Sequence, residues 1–579
     1  AAYAPIDMTM DSLIFINPLS GDGLNGGIPP YTPDLGDENP DPGIGYGGSL
    51  WAMEDYYPYL IVTTSDLEHS FRRIAALKQQ KGYRVKVSTM NEVMNDPQAS
   101  QGDRIRQSDG SYSVAYSDSA GVLREYLKYW YKCHGTKFVL LAGNEIPYRT
   151  VPNTYSDPHI DFELISDLYY SDLSASWDTT RMIDYLPELY VGRILCDSSF
   201  QIDNYSDKLF RYELNPGDGD YSYLKNAFFS CGRDFSSDPD FQIVKDALLP
   251  IFPTQFNVND TKGNNSKHPK GGDIINFLNT NHVGFVSIYN HGDSARIKVY
   301  GRDMDYYDYF IKSSSTMSSG NGLNCLTNKK YPMVFYAPSC VTIPFDYHNG
   351  MSFGESFTIG KDYGGPVYIG YTRTVITFGI MPIYKNFTSM LNDGIYQLGV
   401  ADALSKGVTR WNATYNEILS HAYIGDPELE LWTDEPQQFS KINVARTNNS
   451  ITISGIDIDS VPATVAFYSN HGKYRKLTVT SSDVTINNVV PNGAIMVYKH
   501  NYLPYIAPLI LQNVEVDDSR YEIASDVTAG NIVDENRSTG DVIVKNGVEF
   551  EIEASGTVTL QDGFFVEKGA TFAVYPSSF

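Results

Sequence analysis

From Tyr59 onward, short unbroken apolar runs alternate with stretches in which apolar residues recur every three or four positions. Leu60-Ile61-Val62-Thr63-Thr64 reads as a strand; after it Leu67, Phe71, Ile74 and Leu77 share one helical face, with Ser65 placed to cap that helix and Gly82 to end it. Tyr83 to Met90 predicts the next strand, Ala120 to Tyr131 a helix, and Phe138 to Gly143 a short buried strand. The alternation continues with strands from Leu189 to Ile194, Ala227 to Ser230, Val283 to Asn290, Tyr331 to Ser339 and Pro366 to Gly370, and helices from Ile243 to Ile251 and Ile274 to Leu278. Strands that are apolar throughout suit a parallel sheet covered on both faces, so the pattern predicts a doubly wound, mostly parallel α/β body of about 380 residues.

After Trp432-Thr433-Asp434-Glu435-Pro436 the helical period disappears. Short strands at 451–454, 463–468, 476–479 and 494–498 have sandwich spacing and predict an immunoglobulin-like β-sandwich. In the tail, residues 544–552 echo 566–574 at an offset of 22, the mark of a small β-roll or solenoid, with surface attachment or simple capping as its role. Residues 1–50 are dense in Gly and Pro and read as a prosegment or a structural strap. The expected division is 1–52, 53–434, 435–512 and 513–579.

The chain has 579 residues, room for roughly four domains at about 150 residues each. Its 69 Asp and Glu against 44 Lys and Arg leave a net charge of −25, which argues against nucleic acid or an anionic membrane surface as partner. No stretch approaches the ~18 apolar residues of a membrane-spanning helix. Ala1-Ala2-Tyr3-Ala4 lacks an initiator Met and a basic segment, as expected of an exported chain already trimmed. Five cysteines without CxxC spacing make neither a disulfide framework nor a zinc site.

His291-Gly292 closes one apolar run and Cys340 closes the next. In an open parallel sheet, reactive groups gather at the carboxyl ends of strands. A thiol needs a base or cation to become thiolate, and a histidine can then return the proton to a departing amine, so the pair suffices for amide cleavage. Gly292 allows close approach of a substrate carbonyl to backbone N–H groups. The other two His-Gly pairs have structural explanations: His134-Gly135 ends a helix and His471-Gly472 sits in a turn of the sandwich. Cys231, also at a strand end, competes with Cys340, whereas Cys133, Cys196 and Cys325 read as structural.

Four motifs occur in the order seen in gingipain-like cysteine peptidases: residues 186–194 (LPELYVGRI), Asn290-His291-Gly292, Ser339-Cys340 and residues 424–429 (IGDPEL). The chain resembles that family, peptidase family C25 of the caspase-like clan from Bacteroidetes-type bacteria, over about residues 55–434. The resemblance implies a caspase-like fold and a secreted endopeptidase acting on proteins or peptides without an organic cofactor. It implies Cys340 as nucleophile, His291 as general acid/base, the amides of Gly292 and Cys340 as oxyanion donors, and Asp234 as the third, acidic residue where a relative has glutamate. Asp238 or Asp240 would supply an acidic pocket for a basic P1 side chain, and structural calcium would sit in acidic loops such as Asp303-Met304-Asp305 or Asp22, Asp34, Asp37 and Glu38. The first Lys or Arg is Arg72, so an Arg/Lys-cutting enzyme could not release the segment before it by self-cleavage; a P1 preference other than Arg or Lys is the alternative. A same-clan transpeptidase and a silent adhesion protein are the rival functions.

Overall fold

The computed structural model describes residues 56–577 except 107–111, 155–162, 176, 178–184, 233–234, 236–237, 259–268, 300–309, 316–319, 408–414, 459–460, 470–472 and 490. Asp234, His471-Gly472, the Gly/Pro-rich residues 1–50 and the acids named for calcium lie outside the described residues.

Among the described residues ten strands form the central sheet: β1 (Tyr59–Thr63), β2 (Val85–Thr89), β3 (Phe138–Ala142), β4 (Tyr190–Ile194), β5 (Asn226–Cys231), β6 (Thr254–Val258), β7 (Phe285–Tyr289), β8 (Val334–Tyr336), β9 (Val367–Tyr371) and β10 (His421–Ile424). Their spatial order is β6-β5-β7-β8-β9-β10-β4-β3-β1-β2. Every pairing is parallel except β9 with β10. Successive side chains enter opposite cores, as the two-residue period of a strand requires: Tyr59 and Ile61 on one face, Leu60 and Val62 on the other. Helices cover both faces, which explains why β1, β3, β7 and β9 are buried at every position.

Two local expectations shift. Ser65 caps nothing: the carbonyl of Thr64 accepts the Leu67 and Glu68 N–H groups, a 3-10 turn follows at Glu68–Phe71, and the helix proper is Arg72–Gln80, with Gly82 beyond it at φ +80°. The helix expected from Ile243 begins at Pro239, because Asp238 accepts the Asp240 N–H at 2.9 Å and proline tolerates the first helical position.

The two motifs at 186–194 and 424–429 meet inside the sheet. A Cβ on Gly192 would lie 2.1 Å from the Gly425 carbonyl oxygen, so only glycine lets these backbones touch. The carboxylates of Glu213, Asp426 and Glu428 converge as a metal site would require, but the Lys78 ammonium occupies their centre. It donates to Glu213 and Glu428 at 2.7 Å each and pairs with Asp426, while Lys81 bridges Glu213 and Glu428 at 2.8 and 2.6 Å.

Beyond the sheet, two antiparallel sheets of three and four strands form the sandwich over a core that includes Ile451, Ile453, Val465, Phe467, Ile495 and Val497. The tail is a solenoid of three parallel three-stranded sheets, and its 22-residue echo is the coil repeat: Val544 pairs with Val566 and Phe550 with Phe572. Both modules dock at helix Arg72–Gln80, on the β1/β2 side. Arg72 and Arg73 pair with Glu551 and Glu553 of the solenoid, and the Tyr498 hydroxyl of the sandwich donates to the Lys81 carbonyl at 2.9 Å.

Candidate active site

β7 and β8 are neighbours in the sheet, in register from Phe285 opposite Val334, so the segments leaving their carboxyl ends start side by side. His291 follows β7 by two residues and is exposed; Cys340 follows β8 by four and is half-buried. The buried Asn290 side chain explains the first residue of the Asn-His-Gly motif. Its Oδ1 accepts the His291 N–H at 2.8 Å, and its amide fills the space where a Cβ on Gly232 would clash.

Gly292 lies directly on the Cys340 turn, with its Cβ direction aimed at the Cys340 carbonyl and the Ser339 and Thr342 side chains. Lys298 N–H donates to the His291 carbonyl at 2.9 Å, which makes Gly292 and Ile297 a pair without mutual hydrogen bonds and turns the Gly292 N–H away from that partner. Ser339 ties the two segments together, its hydroxyl donating to the Ile288 carbonyl at 3.0 Å.

The turn around Cys340 is sharp. Val341, β-branched, sits at φ +51°, a left-handed conformation that costs about 1–3 kcal/mol and persists only when the surroundings hold it. Here Val341 N–H donates to the Arg373 carbonyl at 3.2 Å and Ile343 N–H to the Tyr371 carbonyl at 3.1 Å. Cys340 Sγ donates to the Val375 carbonyl at 3.3 Å.

Cys231 is placed very differently. Its thiol is buried beneath helix Pro239–Ala247, and burial, reinforced by the charge of Asp238, pushes it up to about 12. Such a sulfur stays protonated and inert at neutral pH. Cys196 is likewise pushed up by burial, and all five cysteines are free thiols.

The wall beside His291 is aromatic. Phe235 packs against the imidazole with ring centroids 5.0 Å apart and stacks on Tyr289 at 4.8 Å. The Tyr289 hydroxyl donates to Asp238 at 2.9 Å, so the Asp238 carboxylate serves both that phenol and its own helix. Asp240 pairs with Lys385 at 3.1 Å. Both acids offered for a P1 pocket therefore have partners within the fold. Sequence pattern alone pointed to neither Phe235 nor Val375, because an isolated aromatic and an aliphatic loop residue carry no distinguishing period.

The sequence signature of peptidase family C25 matches residues 53–432, most of the chain, and the chain belongs to that family. Lys-gingipain W83 of Porphyromonas gingivalis is 28% identical over 207 residues, covering 36% of this chain and 10% of the relative. Lys-gingipain HG66 of the same organism is 28% identical over 209 residues, with the same coverage. The chain thus matches about a tenth of the length of these curated relatives. The crystal structure of the Arg-specific cysteine proteinase gingipain R superposes with a TM-score of 0.59 at 16% identity, covering 79% of this chain and 98% of that one. A complex of P. gingivalis RgpB pro- and mature domains gives 0.58 at 17% identity, covering 77% and 98%. The likeness establishes the fold: a caspase-like sheet followed by β modules.

Proposed function

We propose that this chain is a secreted cysteine endopeptidase that works through Cys340 and His291. The observation that carries the reading is the direct packing of Gly292 on the Cys340 turn at the ends of two neighbouring strands. His291 takes the thiol proton, and the Cys340 sulfur attacks the peptide carbonyl carbon. The N–H groups of Gly292 and Cys340 receive the oxyanion. His291 then protonates the departing amine, leaving a thioester on Cys340. Water, deprotonated by His291, hydrolyses it. Asp234 is the candidate to orient the imidazole, supported by the contact of its chain neighbour Phe235 with that ring.

The substrates are proteins or peptides, as the family implies. The engagement of Asp238 and Asp240 within the fold favours a P1 side chain other than Arg or Lys. Among the described residues no helix is long and apolar enough to cross a membrane, and the solenoid is the candidate for surface attachment. A panel of fluorogenic peptides varying at P1, assayed with wild type and with Cys340→Ala and His291→Ala, tests the reading. Turnover by wild type alone supports it; turnover that survives Cys340→Ala overturns the nucleophile, and cleavage confined to Arg and Lys substrates overturns the P1 assignment.

A further inference from the structure

Beneath the nucleophile turn lies a carboxylate that the Cys/His chemistry does not use. Glu417, on the short helix Tyr415–Ser420, is fully buried, and its Oε1 accepts the Ile376 N–H at 3.0 Å. Ile376 is the N-cap of the 16-residue helix Thr377–Asn392, and an isoleucine has no side-chain acceptor for the N–H groups at a helix start. A carboxylate from another helix supplies one, and the positive end of the helix dipole favours its charge there. Gly379 makes the room: a Cβ at this position would lie 2.4 Å from the Glu417 carboxyl group.

The N–H of Ile376 and the carbonyl of Val375 belong to one planar peptide unit, so fixing the first fixes the second. The Val375 carbonyl is the group that accepts from Cys340 Sγ at 3.3 Å. The chain of contacts therefore runs from a buried carboxylate, through a single peptide plane, to the sulfur. Were the plane to rotate, the carbonyl would leave the thiol and the sulfur would change rotamer. We infer that Glu417 is a positioning residue for Cys340, acting through the Val375–Ile376 peptide plane. This rests on Cys340 being the nucleophile, and it adds a second acid to the site, distinct from the one that would orient the histidine.

The inference predicts opposite movements of two readouts. A carbonyl that accepts the S–H bond favours the thiol, and a nearby carboxylate disfavours the thiolate. Loosening this arrangement eases ionisation while misplacing the sulfur. In Glu417→Ala, the pH midpoint for iodoacetamide alkylation of Cys340, followed by mass spectrometry, should move to lower pH. On a peptide substrate kcat should fall about tenfold or more with KM changed less than about twofold. Gly379→Ala, which displaces the carboxylate from the other side, should reproduce the loss of kcat. Glu417→Gln, which keeps an acceptor for Ile376, should recover most of it. A general loss of stability would not couple easier ionisation to slower turnover. Unchanged kcat and alkylation midpoint in folded Glu417→Ala or Gly379→Ala would overturn the inference. Should wild type cut no peptide, the peptidase reading falls, and the alkylation profiles alone decide the role of Glu417; a Cys340 that resists alkylation at every pH overturns both.

Discussion

A Cβ placed on Gly292 would sit 2.9 Å from the carbonyl oxygen of Cys340, so the backbone that follows the histidine and the backbone that carries the thiol are in contact. A methyl group there has nowhere to go, since the Thr342 and Ser339 side chains close the other directions. Gly292→Ala should therefore displace the proposed oxyanion donor and lower kcat by about a hundredfold, with a smaller effect on KM, in steady-state assays on a peptide substrate.

Cys340 is half-buried in the turn after β8, at the margin of the core, where a small apolar side chain can replace it. Cys340→Ala should abolish cleavage while shifting the melting temperature by no more than about 2 °C. In wild type at neutral pH, iodoacetamide should label Cys340 well before Cys231, whose thiol is held near 12 by burial and Asp238. Labelling of Cys231 first, read by peptide mass mapping, would contradict the assignment.

The buried acids around Lys78 make stability depend on pH. Burial opposes the charge of Glu428, but Lys78 and Lys81 outweigh it and hold the carboxyl down at about 2. A carboxylate depressed in the folded state contributes stability that is complete above its unfolded value and is lost as pH falls toward the folded one. The stability that Glu428 contributes should accordingly be lost as pH falls below about 4.5, while burial and the neighbouring acids, which push Asp426 up, offset part of that loss. Glu428→Gln should be less stable at neutral pH and show a shallower acid limb in denaturant titrations; an unchanged limb would remove Glu428 from the account.

Arg73 pairs with Glu553 at 2.9 Å, the glutamate being almost wholly buried, and this contact joins the solenoid to the α/β domain. Either Arg73→Glu or Glu553→Arg should cost about 3 kcal/mol, because a buried charge loses its partner. The double reversal should recover part of that cost, giving a coupling energy of about 1 kcal/mol or more. Hydrogen exchange along Arg72–Gln80 and Glu549–Ala554 would show whether the module loosens as the cycle predicts.

The apolar runs and the helical period marked eight of the ten strands of the central sheet, the sandwich and the 22-residue coil, because strand and helix formation depend on side-chain alternation within a few neighbouring positions. The same local reading placed His291 and Cys340 at the ends of strands that prove to be adjacent. It passed over β6 and β10, where polar residues such as Gln255 and His421 interrupt the apolar pattern; His421 is tolerated in the core because Asp402 meets it at 2.6 Å. The antiparallel entry of β10 between β9 and β4, the engagement of Asp238 and Asp240, the pairing of Lys78 with Glu428 across 350 residues, and the carboxylate beneath the Cys340 turn were decided only by tertiary structure. Each is a contact between groups far apart in the chain, and the charge or hydrogen-bonding capacity of a residue says nothing of which partner folding will bring to it.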